Sequence, residues 1–286
     1  MMNPTAIPAA PPATRIARRF AELRQRNQMG LVAFITAGDP SLSATESLVL
    51  ALAEAGADVV ELGVPFSDPL ADGPAIQRSS ERALRAGTTL AGVLDLVAAI
   101  RRKSDVALVL FSYYNPVLQM GLEKFAERAS AAGADGVLIT DLTPEEAGDY
   151  RRIMAARGLD TIFLASPTSP DERLSKIAAS TSGFLYLISR TGVTGAKDTL
   201  PEDLPALLRR VRRVTSLPIA VGFGISLPGQ VSVLGGLADA AVVGSALVEE
   251  IERATTVEAA RAAVAERVRT LKQAGLHGMS RREPGQ

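Results

Sequence analysis

The stretch DVVELGVPFSDPLADGP (58–74) joins a short apolar run to a loop stiffened by three prolines, and four carboxylates punctuate it. DVVELG (58–63) is too short for a helix and reads as a strand buried on both faces. Seven more runs of the same kind recur along the chain. They are LVAFITA (31–37), VALVLFSY (106–113), GVLIT (136–140), TIFLAS (161–166), FLYLIS (184–189), PIAVGFG (218–224) and AAVVGS (240–245). Longer segments with helical spacing, such as ATESLVLALAEAG and PEEAGDYRRIMAARG, separate them. Near-continuous apolar strands alternating with helices predict a parallel sheet covered by helices.

Four helix starts are expected at capping boxes, Ser43-x-x-Glu46, Thr143-x-x-Glu146, Ser169-x-x-Glu172 and Thr199-x-x-Glu202. Pro144 and Pro170 would then stand at first helical positions. AGA (55–57) and AGAD (132–135) read as glycine-terminated helix ends. Eight strands with following helices predict a single α/β domain, a (β/α)8 TIM barrel over residues 15–274. An extra helix is expected near residues 14–28, a disordered leader over 1–14 and a flexible tail over 275–286. The competing open doubly wound sheet would more often show G-x-G-x-x-G after its first strand, where this chain has TAGDPSLS.

Lys plus Arg and Asp plus Glu both number 31, which argues against a broad nucleic-acid or acidic-membrane surface. Zero cysteines remove disulfides, thiolate nucleophiles and cysteine metal sites, and a reducing cytoplasm is the simplest compartment. No apolar stretch approaches the roughly 18 to 20 residues that span a bilayer. His277 lies beyond the last strand and all five lysines lie outside the strands. Imidazole catalysis, a histidine metal site and a Schiff-base lysine are therefore not expected. Carboxylates, amides and hydroxyls remain.

Glu61 is the strongest anomaly: in an alternating strand it shares a face with Val59. An unpaired buried acid costs several kcal/mol, relieved by a raised pKa, which is what a general acid at neutral pH requires. A structural ion pair is the plain alternative. Asp72, at the far end of a loop shaped by Pro65, Pro69, Pro74, Gly63 and Gly73, is placed to bring a second carboxylate over a barrel mouth. VGFGIS (221–226) and VVGSAL (242–247) put Gly222, Gly224, Gly244 and Ser245 at the ends of the last two strands, where barrels bind phosphate. SRTGVTGAKD (189–198) reads as a glycine-hinged lid.

Taken with FITAGDP (34–40), FSYYNPVLQMG (111–121), ITDLTPEE (139–146) and YLISRTGVTG (186–195), these motifs resemble the tryptophan synthase alpha subunit family. The resemblance covers about Arg15 to Glu250, in the family's order. It implies retro-aldol cleavage of indole-3-glycerol phosphate to indole and glyceraldehyde 3-phosphate. Glu61 and Asp72 would be the catalytic acids, and Phe34 and Tyr186 would line the pocket. Gly195, Phe223, Gly224, Gly244 and Ser245 would cradle phosphate, with Thr194 of the lid bonding Asp72 on closure. The resemblance implies no metal and no cofactor in this subunit. It also implies an αββα partner, a pyridoxal-phosphate beta subunit, which Pro65, Asp68, Asn115 and Gly192 would face. ITDLTPEE departs from the family at Thr143, commonly proline there. Alternatives are another phosphate-binding barrel such as an isomerase or epimerase, a stand-alone plant-type lyase, or a non-catalytic activator subunit.

Overall fold

The computed structural model describes residues 14–189 and 199–279. After α1 (Arg15–Gln25), β1 (Gly30–Thr36) leads to α2 (Leu42–Glu54), and β2 (Val59–Gly63) to α3 (Pro74–Arg85) and α4 (Leu90–Arg101). Next, β3 (Ala107–Ser112) leads to α5 (Tyr114–Met120) and α6 (Leu122–Ala132), and β4 (Gly136–Ile139) to α7 (Gly148–Ala156). The fifth predicted run divides into β5 (Asp160–Ile162) and β6 (Leu164–Ala165), followed by α8 (Asp171–Ser180). Then come β7 (Leu185–Ile188) with α9 (Leu204–Val214), β8 (Ile219–Gly222) with α10 (Pro228–Leu234), and β9 (Ala240–Val243) with α11 (Ser245–Arg253) and α12 (Val257–Met279). No single described helix is long and apolar enough to cross a membrane.

The strands lie parallel in the order β5-β4-β3-β2-β1-β9-β8-β7-β6. The two ends of that row are consecutive pieces of one run, broken only at Phe163, so the sheet closes through the chain itself. Nine segments thus form the expected eight-stranded barrel. Alternation sorts every strand: Val32, Phe34, Val59, Val109, Phe111, Tyr186 and Val242 fill the interior, while Leu31, Ile35, Val60, Leu62 and Leu110 face the helices.

The amino end of the barrel is sealed. Ile16, Phe20 and Leu23 of α1 join the inner cluster, and the Phe20 and Phe184 rings stand 5.7 Å apart. Asp58 and Asp135 bind strand amides, accepting from Leu31 N at 2.6 Å and Leu108 N at 2.8 Å, and take α1 arginines as partners. These acids hold strands and helix together at the face where barrels spend residues on stability.

The helix starts differ from the capping-box reading. Ser41, not Ser43, caps α2, because it is the extended residue whose hydroxyl accepts from Ala44 N at 3.1 Å. The Thr143 hydroxyl does reach Glu146, at 2.9 Å, but within a turn that ends before α7. α8 starts behind Pro170 with no side-chain cap, since Ser169 instead accepts from Ser166 N. α9 starts behind Asp203, past Thr199 and Glu202. The glycine ends hold: Gly56 and Gly133 have φ of 107° and 88°. α12 runs through residue 275, where the sequence reading begins a tail, to Met279.

Candidate active site

Glu61 lies in β2 with its backbone in register with Phe34 of β1 and Val109 of β3. Its side chain is 0% exposed, and neither carboxylate oxygen has a hydrogen-bond partner among the described residues. The structural ion pair weighed as an alternative is therefore not formed among the described residues. Burial alone lifts its pKa from 4.5 to about 8, so the carboxyl is mainly protonated at neutral pH.

Asp72 arrives from the β2–α3 loop. That loop folds back by short turns, with Asp72 N donating to Pro69 O at 3.0 Å. Gln77 fixes its end by donating to Asp72 O at 2.9 Å. The two loop glycines play different parts. Gly73 has an ordinary φ of −77° as the residue before α3. Gly63 is required for space, because a Cβ there would fall 2.6 Å from Phe34 Cζ. Burial raises the Asp72 pKa from 3.8 to about 6, opposed by a hydrogen bond from Tyr113. The two acids thus straddle neutrality from opposite sides, the arrangement that separates an acid from a base.

Both acids line one cavity of about 230 Å³ at the carboxyl ends of the strands. Its walls are aromatic: Phe34 meets Phe111 edge-on at 5.2 Å, and Tyr186 meets Phe223 at 6.0 Å. The Tyr186 hydroxyl is pushed well above its usual pKa by burial first, then by the charges of Glu61 and Asp72, and so remains neutral. It lies over Gly222, where a Cβ would come within 2.3 Å of the hydroxyl oxygen. Phe223 reaches the cavity from a left-handed backbone, φ 69°, followed by Gly224 at 83°. The Ser189 hydroxyl, donating to Phe223 O at 2.5 Å, and Gln230, donating to Gly224 O at 3.1 Å, hold that turn.

A further part of the wall is the start of α11. Gly244 precedes the helix, and the cavity is lined by Gly244, Ser245 and Ala246. The first intrahelical donors are Leu247 and Val248, both to Gly244 O. The amides before them point out of the helix start, where an anion is favoured.

Of the residues named from sequence, Glu61, Asp72, Phe34, Tyr186, Phe223, Gly224, Gly244 and Ser245 all line this cavity. Thr194, Gly195, Gly192 and the lid reading fall outside the described residues. Pro65 is buried within the chain, so Asp68 and Asn115 are the exposed members of the proposed interface set. Sequence reasoning gave no role to Phe111 or Tyr113. Phe111 was detectable as the next inward position after Val109. Tyr113 was not, because its importance depends on how the Asp72 loop folds. Among the described residues no group of His, Cys, Asp and Glu is placed to hold a metal ion, and no described lysine lines the cavity.

Fold and site together define a (β/α)8 barrel with a pair of carboxyl groups in an aromatic cavity. The sequence model described as tryptophan synthase alpha chain matches residues 20–275. A tryptophan synthase alpha chain of Geobacter sulfurreducens is 53% identical over 248 residues, 87% of this chain and 94% of that one. One from Solibacter usitatus is 53% identical over 240 residues, 84% and 90% of the two chains. Among solved structures, a chain of Mycobacterium tuberculosis tryptophan synthase superposes with a TM-score of 0.84 at 35% identity, covering 93% of this chain and 99% of that one. The tryptophan synthase alpha subunit of Legionella pneumophila gives 0.82 at 37% identity, covering 92% and 98%. The chain belongs to the tryptophan synthase alpha chain family.

Proposed function

We infer that this chain is the lyase subunit of tryptophan biosynthesis, cleaving indole-3-glycerol phosphate to indole and glyceraldehyde 3-phosphate. The observation that carries this reading is the protonated, unpartnered Glu61 facing an aromatic cavity that also receives an ionised Asp72. Breaking the bond between the ring and the glycerol chain leaves an electron pair on carbon. The indole ring supplies the sink. Glu61 protonates ring carbon C3, and Asp72 stabilises the charge that develops at the ring N–H, accepting that proton and returning it to nitrogen as the ring re-aromatises. Re-aromatisation expels the glycerol fragment, while the Glu61 carboxylate takes the proton of its adjacent hydroxyl as the aldehyde forms. Proton transfers of this kind are each worth about 10²–10⁴ in rate.

Phe34, Phe111, Tyr186 and Phe223 would sandwich the ring, and the amides of Gly224, Gly244 and Ser245 would take the phosphate. Thr194 and Gly195 would complete the site from the lid. Pyridoxal phosphate is assigned to a beta subunit that receives the indole, docked over the mouth near Asp68 and Asn115, with Gly192 as a further expected contact. We place the assembly in the cytoplasm. An isomerase reading lacks a strand-end histidine or metal-ligand set among the described residues, and an activator reading gives no reason for a buried acid without a partner among them. The test is indole release from indole-3-glycerol phosphate with and without a beta subunit. Absence of indole in both would overturn the reading, and full activity without a partner would favour the stand-alone lyase.

A further inference from the structure

The cavity has a one-sided charge inventory. Its described lining carries three carboxyl groups, Glu61, Asp72 and Glu249, and one cationic side chain, Arg78. On the reading above, the ligand brings a phosphate as well. Neutral amides at the start of α11 favour that anion only in part.

Arg78 stands on α3 with half of its side chain exposed. Its Nε and Nη2 donate to the two oxygens of Glu252, at 2.8 and 2.7 Å. That fork uses one edge of the guanidinium and leaves Nη1, on the other edge, without a hydrogen-bond partner among the described residues. The anchor is itself fixed. Glu252 also accepts from Arg82 Nη1 at 2.7 Å, and Arg82 grips buried Asp39 at 2.9 and 2.8 Å. The hydrogen bond from Arg78, with the nearby arginine charges, holds the Glu252 carboxyl down at about 2, so it stays ionised. Ser245, Glu249 and Glu252 fall at i, i+4 and i+7 of α11, one stripe of that helix. The anchor for Arg78 is therefore on the same face that opens to the cavity at Ser245.

We propose that Arg78 is a substrate-binding residue: its free Nη1 donates to the phosphate of the bound substrate, while Glu252, Arg82 and Asp39 hold the guanidinium in position. It also offsets Glu249, a like charge at the anion end of the cavity. This rests on the lyase reading, and the tests separate the two.

Inorganic phosphate binding is measured by calorimetry on the full chain, beside KM for indole-3-glycerol phosphate, in wild type, Arg78→Gln and Arg78→Lys. Arg78→Gln is expected to weaken phosphate and raise KM by about tenfold, with most of the loss in KM rather than kcat. Arg78→Lys, which keeps the charge, is expected to restore most of it. Free indole, which has no anion, is expected to bind both variants as it binds wild type. The gap between wild type and Arg78→Gln is expected to narrow as salt rises. Unchanged phosphate binding in Arg78→Gln would overturn the inference. So would an equal loss for phosphate and free indole with a lowered unfolding midpoint, since that marks a strut between α3 and α11. A wild type that binds phosphate through Arg78 but releases no indole would overturn the lyase reading alone.

Discussion

The Tyr113 hydroxyl donates to Asp72 Oδ2 at 3.1 Å while accepting from Ala71 N at 2.9 Å. One side chain from the end of β3 thereby fixes both the carboxylate and the backbone of the loop that delivers it. The Tyr113 ring is in turn packed on Phe66 at 5.1 Å. A donor to a carboxylate favours its ionised form. Tyr113→Phe is therefore expected to shift the Asp72 titration upward and to lower kcat by about tenfold, the scale of one hydrogen bond to a charged group. The acid limb of the pH–rate profile measures this, and an unmoved limb would show that Tyr113 only packs.

The pH profile of the wild type follows from two raised carboxyl groups. Asp72 must be ionised and Glu61 protonated, so kcat/KM is expected to rise through about 6 and fall through about 8. A rate still climbing well above that upper value would mean that Glu61 acts only as a carboxylate.

Glu61 also carries a cost in stability whose sign can be worked out. Its folded pKa of about 8 exceeds its ordinary 4.5. Below the lower value both states hold the proton and nothing is lost. Between the two values the unfolded chain ionises while the fold keeps its proton, so stability falls as pH rises. Above the upper value both are ionised and the loss levels off. Glu61→Gln escapes this, so its advantage in urea unfolding is expected to open across that window. A gap independent of pH would contradict the burial argument.

Gly222 is a position where shape alone decides. A methyl group there would meet the Tyr186 hydroxyl at 2.3 Å. Tyr186 is buried and cannot swing clear. Gly222→Ala is expected to cost about 1–3 kcal/mol in unfolding free energy and to cut indole release at least about tenfold by displacing the ring. Wild-type kinetics in that variant would show that Tyr186 has room the structure does not reveal.

The barrel and Glu61 were legible because burial writes itself into composition. Apolar runs recur strand by strand, and one acid inside such a run is conspicuous. Helix starts were less legible. S/T-x-x-E marks a start only where its first residue leaves helical geometry, and Ser41, after Pro40, does this in place of Ser43. The interruption at Phe163 left no trace in TIFLAS. Tyr113 and Arg78 acquire their partners through loop folding and helix packing across the barrel mouth, which spacing along the chain does not encode.

The most direct test of the central claim is single-turnover indole release from indole-3-glycerol phosphate by wild type, Glu61→Gln and Asp72→Asn, with phosphate binding measured alongside. If two carboxyl groups let the ring take up the electrons of the breaking bond, each variant loses at least about 10²-fold in rate and still binds phosphate. Release at the wild-type rate by either one would contradict it.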